Sequence, residues 1–226
     1  MIAVTAFPTR DLLMRESASR IANALKQGIS ERGEGYAALS GGSTPEPAYA
    51  ALATLDLDWS RVTFLLVDER FVPPTDISSN EKMLRRALAP AFAAGAKLLP
   101  MYSDGVSLDD AAARSDATYA DAPIDIAVMG VGGDGHTASW FPQSQQLPAA
   151  LDLDNARSVI AVTAAGAAGS AERLTLTRSA LARATQIDVL ITGDKKRALL
   201  EDAGRAGLPV NCLISLPLGV TVLWAP

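Results

Sequence analysis

Cysteine and histidine are the scarcest chemistry-bearing residues of the chain: Cys212 and His136 each occur once in 226 residues. One cysteine excludes a disulfide framework and a cysteine-rich zinc site. One histidine argues against a histidine-based metal centre, which ordinarily draws two or three. No metal and no cofactor are therefore expected. Positive charge is also in deficit, with Lys+Arg 20 against Asp+Glu 25 and no long basic run. A nucleic-acid partner would call for a clustered basic face, so none is expected. No apolar run reaches the ~18 residues that would span a bilayer. Met1 to Pro8 lacks the basic-then-apolar order of a signal peptide, so a cytoplasmic protein is expected. No interface stripe stands out, and a monomer is the expectation.

The chain does hold apolar residues in quantity. It is 49% hydrophobic and 20% charged, a globular composition, long enough for one large domain. Residues 9–32 read as an amphipathic helix, because Ala18, Ile21, Leu25 and Ile29 recur at steps of three and four. Residues 36–40, 61–67, 124–129, 157–162, 173–177 and 186–192 read as strands, with 97–101, 210–214 and 220–224 as shorter ones. Helices are expected over 48–55, 80–91, 107–120, 179–184 and from Gly193 onward, with Thr44 capping the first of these and Pro45 opening it. Strands alternating with helices over residues 1–226, with no interior linker, predict one α/β domain. Its mostly parallel sheet would carry helices on both faces, as in a Rossmann-like fold.

In such sheets ligands bind beyond the C-terminal strand ends. Four predicted strands end in polar or glycine-bearing turns: Ser40 to Thr44, Asp68 to Arg70, Gly132 to His136, and Gly193 to Lys196. They are expected to converge on one crevice. Ser40, Gly41, Gly42, Ser43 and Thr44 suit an anion cradle of backbone amides and hydroxyls, although an ordinary strand–helix turn fits the same residues. Gly130–Gly135 matches the dinucleotide pattern G-x-G-x-x-G, but Pro142 and Pro148 follow where that motif needs a helix. Asp134 and His136 share a face if the segment is extended. A carboxylate there would orient the imidazole, and histidine is the side chain best poised for general-base work near neutral pH. Arg70 suits a substrate anion or a developing oxyanion, with an ion pair to Asp68 or Glu69 equally open. Arg173 and Lys196 are candidate phosphate ligands.

Five blocks in order resemble the 6-phosphogluconolactonase family: Leu39-Ser-Gly-Gly-Ser-Thr-Pro45; Val67-Asp-Glu-Arg-Phe-Val72 followed by Ser79-Asn80; Gly130 to Pro142; Arg173-Leu-Thr-Leu-Thr177; and Gly193-Asp-Lys-Lys196. Trp140 stands where a leucine is commoner. The related glucosamine-6-phosphate deaminases share the Asp-Gly-His turn but continue Ile-Ala-Phe-Asn-Glu-Pro, whereas this chain continues Thr-Ala-Ser-Trp-Phe-Pro142. The resemblance implies a phosphosugar lactone as substrate and hydrolysis without a metal. It implies His136 as base, Asp134 as its orienting partner and Arg70 at the reacting centre. Gly41, Gly42, Ser43, Thr44, Asp68, Gly135, Arg173 and Lys196 would surround the substrate. An amino-sugar phosphate deaminase or isomerase, and a non-catalytic sugar-phosphate sensor, are the alternatives.

Overall fold

The computed structural model describes residues 4–226, with residues 203–206 described for their backbone only. Seven strands form one sheet and pair in parallel throughout. In chain order they are β1 (Val4–Ala6), β2 (Gly35–Leu39), β3 (Val62–Leu66), β5 (Lys97–Leu99), β6 (Ile126–Met129), β9 (Gln186–Thr192) and β10 (Val220–Ala225). Their spatial order is β1-β10-β9-β6-β2-β3-β5. Every residue of β3 and of β6 is buried, so both faces of the sheet are covered, as a parallel sheet requires. From β2 the chain winds outward through β3 and β5. It then returns to β6 on the other side of β2 and winds outward again. The switch point lies between β2 and β6, where this architecture places ligands.

A second sheet is small and antiparallel, in the order β4-β8-β7, with β4 at Asp68–Arg70, β7 at Val159–Thr163 and β8 at Glu172–Leu176. The polypeptide of β3 leaves the main sheet at Val67, whose N–H still donates to Leu39 O (3.1 Å) while its carbonyl accepts from Leu176 N (2.9 Å). Residues 68–70, expected as a turn, thus continue as a strand. Alternation then puts Asp68 and Arg70 on one face and Glu69 on the other.

Local chemistry explains most helix ends. Helix α1 (Arg10–Arg32) starts at Thr9, whose hydroxyl accepts from Leu12 N, and stops at Gly33 in the left-handed region with φ 85°. It buries Leu13, Ala18, Ile21 and Leu25, each large side chain contributing roughly 1.5–3 kcal/mol. Ser79 caps α3 (Asn80–Ala87) and Ser107 caps α5 (Leu108–Tyr119), each accepting from the amide three residues on. The helix expected over 80–91 is broken near Leu88, with α4 (Ala89–Ala93) restarting at Pro90. Helix α2 (Glu46–Leu52) starts after Pro45, and Thr44 makes no cap, contrary to expectation. The short helices α6 (Leu147–Leu151) and α7 (Arg178–Leu181) and the longer α8 (Asp194–Ala206) follow.

Residues 210–214 are not a strand. They lie in α9 (Pro209–Ile214), with Pro209 at the first helical position. Val-Asn-Cys-Leu-Ile has the apolar content of a strand, but Val210 and Leu213, three apart, are the residues it buries. That spacing is helical.

Candidate active site

The four strand-end turns do meet. They enclose a cavity of about 310 Å³ beyond the C-terminal ends of β2 and β6, lined among others by Ser40 to Pro45, Asp68, Arg70, Gly130 to Gly132, His136, Arg173 and Lys196. Asn80, Ala138, Phe141 and Ala168 complete much of the wall. Three of the lining residues are cationic and one, Asp68, is a carboxylate, against a chain whose net charge is −5. This is a local excess of positive charge on an acidic protein. A wider groove of about 840 Å³ between α1 and α2 shares Ser43 and Thr44. It contains no histidine, and its Arg15 is spent on Asp11 at 2.9 Å. The chemistry therefore belongs to the smaller cavity.

The turn after β6 is built to present His136. Its backbone closes on itself, with Gly132 N–H donating to His136 O (2.8 Å) and Gly135 N–H to Gly132 O (3.1 Å). The imidazole lies against Gly132, where a Cβ would stand 2.1 Å from its Cε1, so only glycine leaves room for the ring. Asp134 Oδ1 stands 2.5 Å from His136 Nδ1 and also accepts from His136 N–H at 3.3 Å. Phe141 packs on the ring at 4.6 Å between centroids. With Nδ1 committed to the carboxylate, Nε2 is the nitrogen left for a ligand. Burial works to raise the Asp134 carboxyl, but the facing His136 and its hydrogen bonds outweigh burial and hold it below the ordinary range. Asp134 itself does not line the cavity; it acts through the ring.

Gly135 is placed elsewhere. It is buried with φ 82°, and the Leu208 side chain occupies the space its Cβ would take, at 2.5 Å. Its carbonyl accepts from Val210 N–H (3.3 Å), which ties the histidine turn to the start of α9. It does not line the cavity, contrary to the expectation that it would surround the substrate.

The arginines face each other across the small sheet, Arg70 directly opposite Arg173 and Asp68 opposite Thr175. Like charges directly opposite are unfavourable, and among the described residues neither arginine makes an ion pair. The expected alternative pair of Arg70 with Asp68 or Glu69 is absent: Arg70 Nη1 donates to Ser78 O and Asn80 Oδ1 instead. Arg173, 3% exposed, gives Nε to Ser170 O (2.7 Å) and Nη2 to Ala168 O, and lies over the Phe141 ring at 5.7 Å. Burial, opposed by Asp68, lowers its affinity for the proton. Burial does the same to Lys196, in the first turn of α8. Among the described residues, two buried polar atoms on residues lining the cavity lack a hydrogen-bond partner, Arg70 Nε and Ser40 Oγ.

Gly42, with φ 103°, needs glycine for its backbone, whereas Gly41 needs it for space, because Asn80 lies against it. Ser43 and Thr44 line the cavity as expected. On the reverse face of β4, Glu69 is fully buried. It accepts from Arg70 N, Asn80 N and Glu81 N (each 2.7 Å) and from Ser79 Oγ (3.0 Å). Burial pushes its carboxyl up to about 7, against these four donors. Asp68 Oδ2 accepts from Ser139 Oγ at 2.6 Å. Trp140 fits a fully buried slot, its indole N–H donating to Leu176 O at 2.8 Å. Asn80 and Ser139 were not assigned roles from the sequence, although each lies within one of the five blocks.

Comparison with known proteins decides the family. The family described as glucosamine-6-phosphate isomerases/6-phosphogluconolactonase matches residues 8–220. The chain belongs to this family. A 6-phosphogluconolactonase of Caulobacter vibrioides is 41% identical, over 99% of this chain and 97% of that one. One of Mesorhizobium japonicum is 38% identical, over 98% and 94%. The crystal structure of a 6-phosphogluconolactonase from Shewanella baltica superposes with a TM-score of 0.93 at 29% identity, covering 100% of this chain and 98% of that one. Among the described residues no helix is long and apolar enough to cross a membrane. Nor do three or more of their His, Cys, Asp and Glu side chains group so as to hold a metal ion.

Proposed function

We propose that the chain hydrolyses 6-phospho-D-glucono-1,5-lactone to 6-phospho-D-gluconate, the lactone-opening step of the oxidative pentose phosphate pathway. One observation carries this reading: an imidazole tethered through Nδ1 to a carboxylate presents Nε2 at the wall of a cavity where three cations face one carboxylate. Such a wall suits a substrate with a phosphate at one end and an electrophilic carbonyl at the other.

Nε2 of His136 takes a proton from water as its oxygen attacks the lactone carbonyl carbon. The carbonyl oxygen becomes an oxyanion, stabilised by the Arg70 guanidinium or by the glycine N–H groups near 41–42, all on residues that line the cavity. As the intermediate collapses, the bond from that carbon to the ring oxygen breaks, and imidazolium returns its proton to the departing oxygen. The acid formed then ionises, so each turnover releases one proton. Asp134 holds the ring and stabilises the imidazolium between the two transfers. Lys196 and the Gly41–Thr44 loop bind the phosphate, and Arg173 completes the positive wall. A reactive ester linkage asks little more than this positioning and one base.

The deaminase reading loses ground at Phe141. Counting five residues on from the histidine, it stands where the deaminase motif carries its glutamate, and its ring packs on His136. The test is a continuous titration of acid release from freshly made lactone, set against the spontaneous rate, with ammonia release from glucosamine 6-phosphate as control. His136→Ala is expected to lose about 10²–10⁴ in kcat, the usual range for a general base. A variant that keeps wild-type kcat at pH 7 would overturn the role of His136.

A further inference from the structure

The side chain of Asn80 is 2% exposed and sits between two groups of opposite demand. Its Nδ2 donates to the Asp68 carbonyl (2.8 Å) and to Asp68 Oδ1 (3.3 Å), and its Oδ1 accepts from Arg70 Nη1 (2.8 Å). The reverse orientation would set an amide NH₂ against a guanidinium and an oxygen against a carboxylate, so the surroundings dictate which end points where. The backbone is equally committed: Asn80 N–H donates to Glu69 Oε1 at 2.7 Å, and the residue begins a helix capped by Ser79. On its remaining side it fills the space beside Gly41, where a Cβ would fall 1.8 Å from Asn80 Oδ1.

We propose that Asn80 is a positioning residue, clamping the Arg70 guanidinium and the Asp68 carboxylate in one geometry, and that Gly41 lacks a side chain because Asn80 occupies its place. The inference rests on the lactonase reading above. Arg70 has no carboxylate partner among the described residues and faces Arg173, so Asn80 Oδ1 and the Ser78 carbonyl are what hold its Nη1. A carboxamide is suited to this because it offers an acceptor to the cation and donors to the acid from one planar group. Serine or alanine at 80 would release both partners, and a glutamine would overfill the space against Gly41.

The decisive measurement is kcat and KM for Asn80→Ala, Gly41→Ala, the double variant and Asn80→Asp, each beside wild type, with folding followed by thermal melting. Asn80→Ala is expected to lose about 10²-fold in kcat/KM, the scale of a 1 Å misplacement. Gly41→Ala, which pushes Asn80 aside, should fall in the same direction. The double variant, in which the space is vacant, should be no worse than Asn80→Ala. Asn80→Asp keeps the size and tests the donor. With Asp68, Glu69 and Arg70 facing it, a protonated carboxyl at 80 still donates to Asp68, and an ionised one does not. The ratio of its kcat/KM to wild type is therefore expected to fall as pH rises, with the ionisation of His136 cancelling in the ratio. An Asn80→Ala within threefold of wild type, losses that multiply in the double variant, or a ratio flat with pH would each overturn the proposal. If Asn80→Ala does not fold, the pH ratio of the isosteric Asn80→Asp decides alone. A wild-type chain that leaves the lactone at its spontaneous rate would instead overturn the function itself.

Discussion

Removing the Asp134 carboxylate should weaken the histidine without abolishing it, and the structure sets how much. The contact is short, 2.5 Å from Oδ1 to Nδ1, and the same oxygen also holds the His136 backbone N–H. A hydrogen bond to a charged group contributes about 1.5–3 kcal/mol. Here the side chains are 30% exposed for His136 and 54% for Asp134, so water screens the pair and the lower end applies, about 1–2 kcal/mol. The ring does not depend on Asp134 alone, because Phe141 and Gly132 still hold its faces. Asp134→Ala is therefore expected to lower kcat about 5- to 30-fold, far less than His136→Ala. KM should hold, because Asp134 does not touch the cavity. Acid-release kinetics on both single variants and the double variant check this. If Asp134 acts only through the ring, Asp134→Ala adds nothing once His136 is alanine. A full Asp134 effect in the His136→Ala background would refute that reasoning, as would a single-variant loss equal to that of His136→Ala.

Two further outcomes follow from other parts of the site. Lys196→Met should raise KM by about 10- to 10²-fold with kcat little changed, since a phosphate contact binds ground and transition states alike; saturation curves over lactone concentration read it. Glu69, with its folded-state carboxyl pushed up to about 7 by burial, binds its proton more tightly folded than unfolded. Its stabilising contribution is complete below the ordinary glutamate range and is lost as pH rises through about 7. Relative to Glu69→Gln, wild-type stability from urea titrations should therefore decline between about pH 4.5 and 7, by on the order of 3 kcal/mol. A difference that stays level or grows over that window would show the four donors outweighing burial.

Where most of the turns lie, and which of them holds the one histidine beside an aspartate, was legible in the sequence alone. Apolar runs too short for anything but buried strands, glycines and prolines at their ends, and caps such as Ser79 and Ser107 are local signals that survive without tertiary information. A lone histidine two residues from an aspartate needed no structure to be noticed, nor did the polar strand ends that line the cavity. What lay outside its reach depends on contacts between distant segments. Residues 210–214 have the composition of a strand, and only packing of Val210 and Leu213 on the body of the protein makes them helical. Gly135 belongs to the same turn as His136, yet Leu208 covers it and it does not line the cavity. The antiparallel register of β4 with β8 is what puts Arg70 opposite Arg173 and turns two unremarkable surface-type residues into a positive wall. Asn80 stands beside Ser79 in the second block, but only the helix start that Glu69 anchors places it against Asp68 and Arg70. Register and helix docking are collective outcomes of burial, and no window of sequence contains both partners.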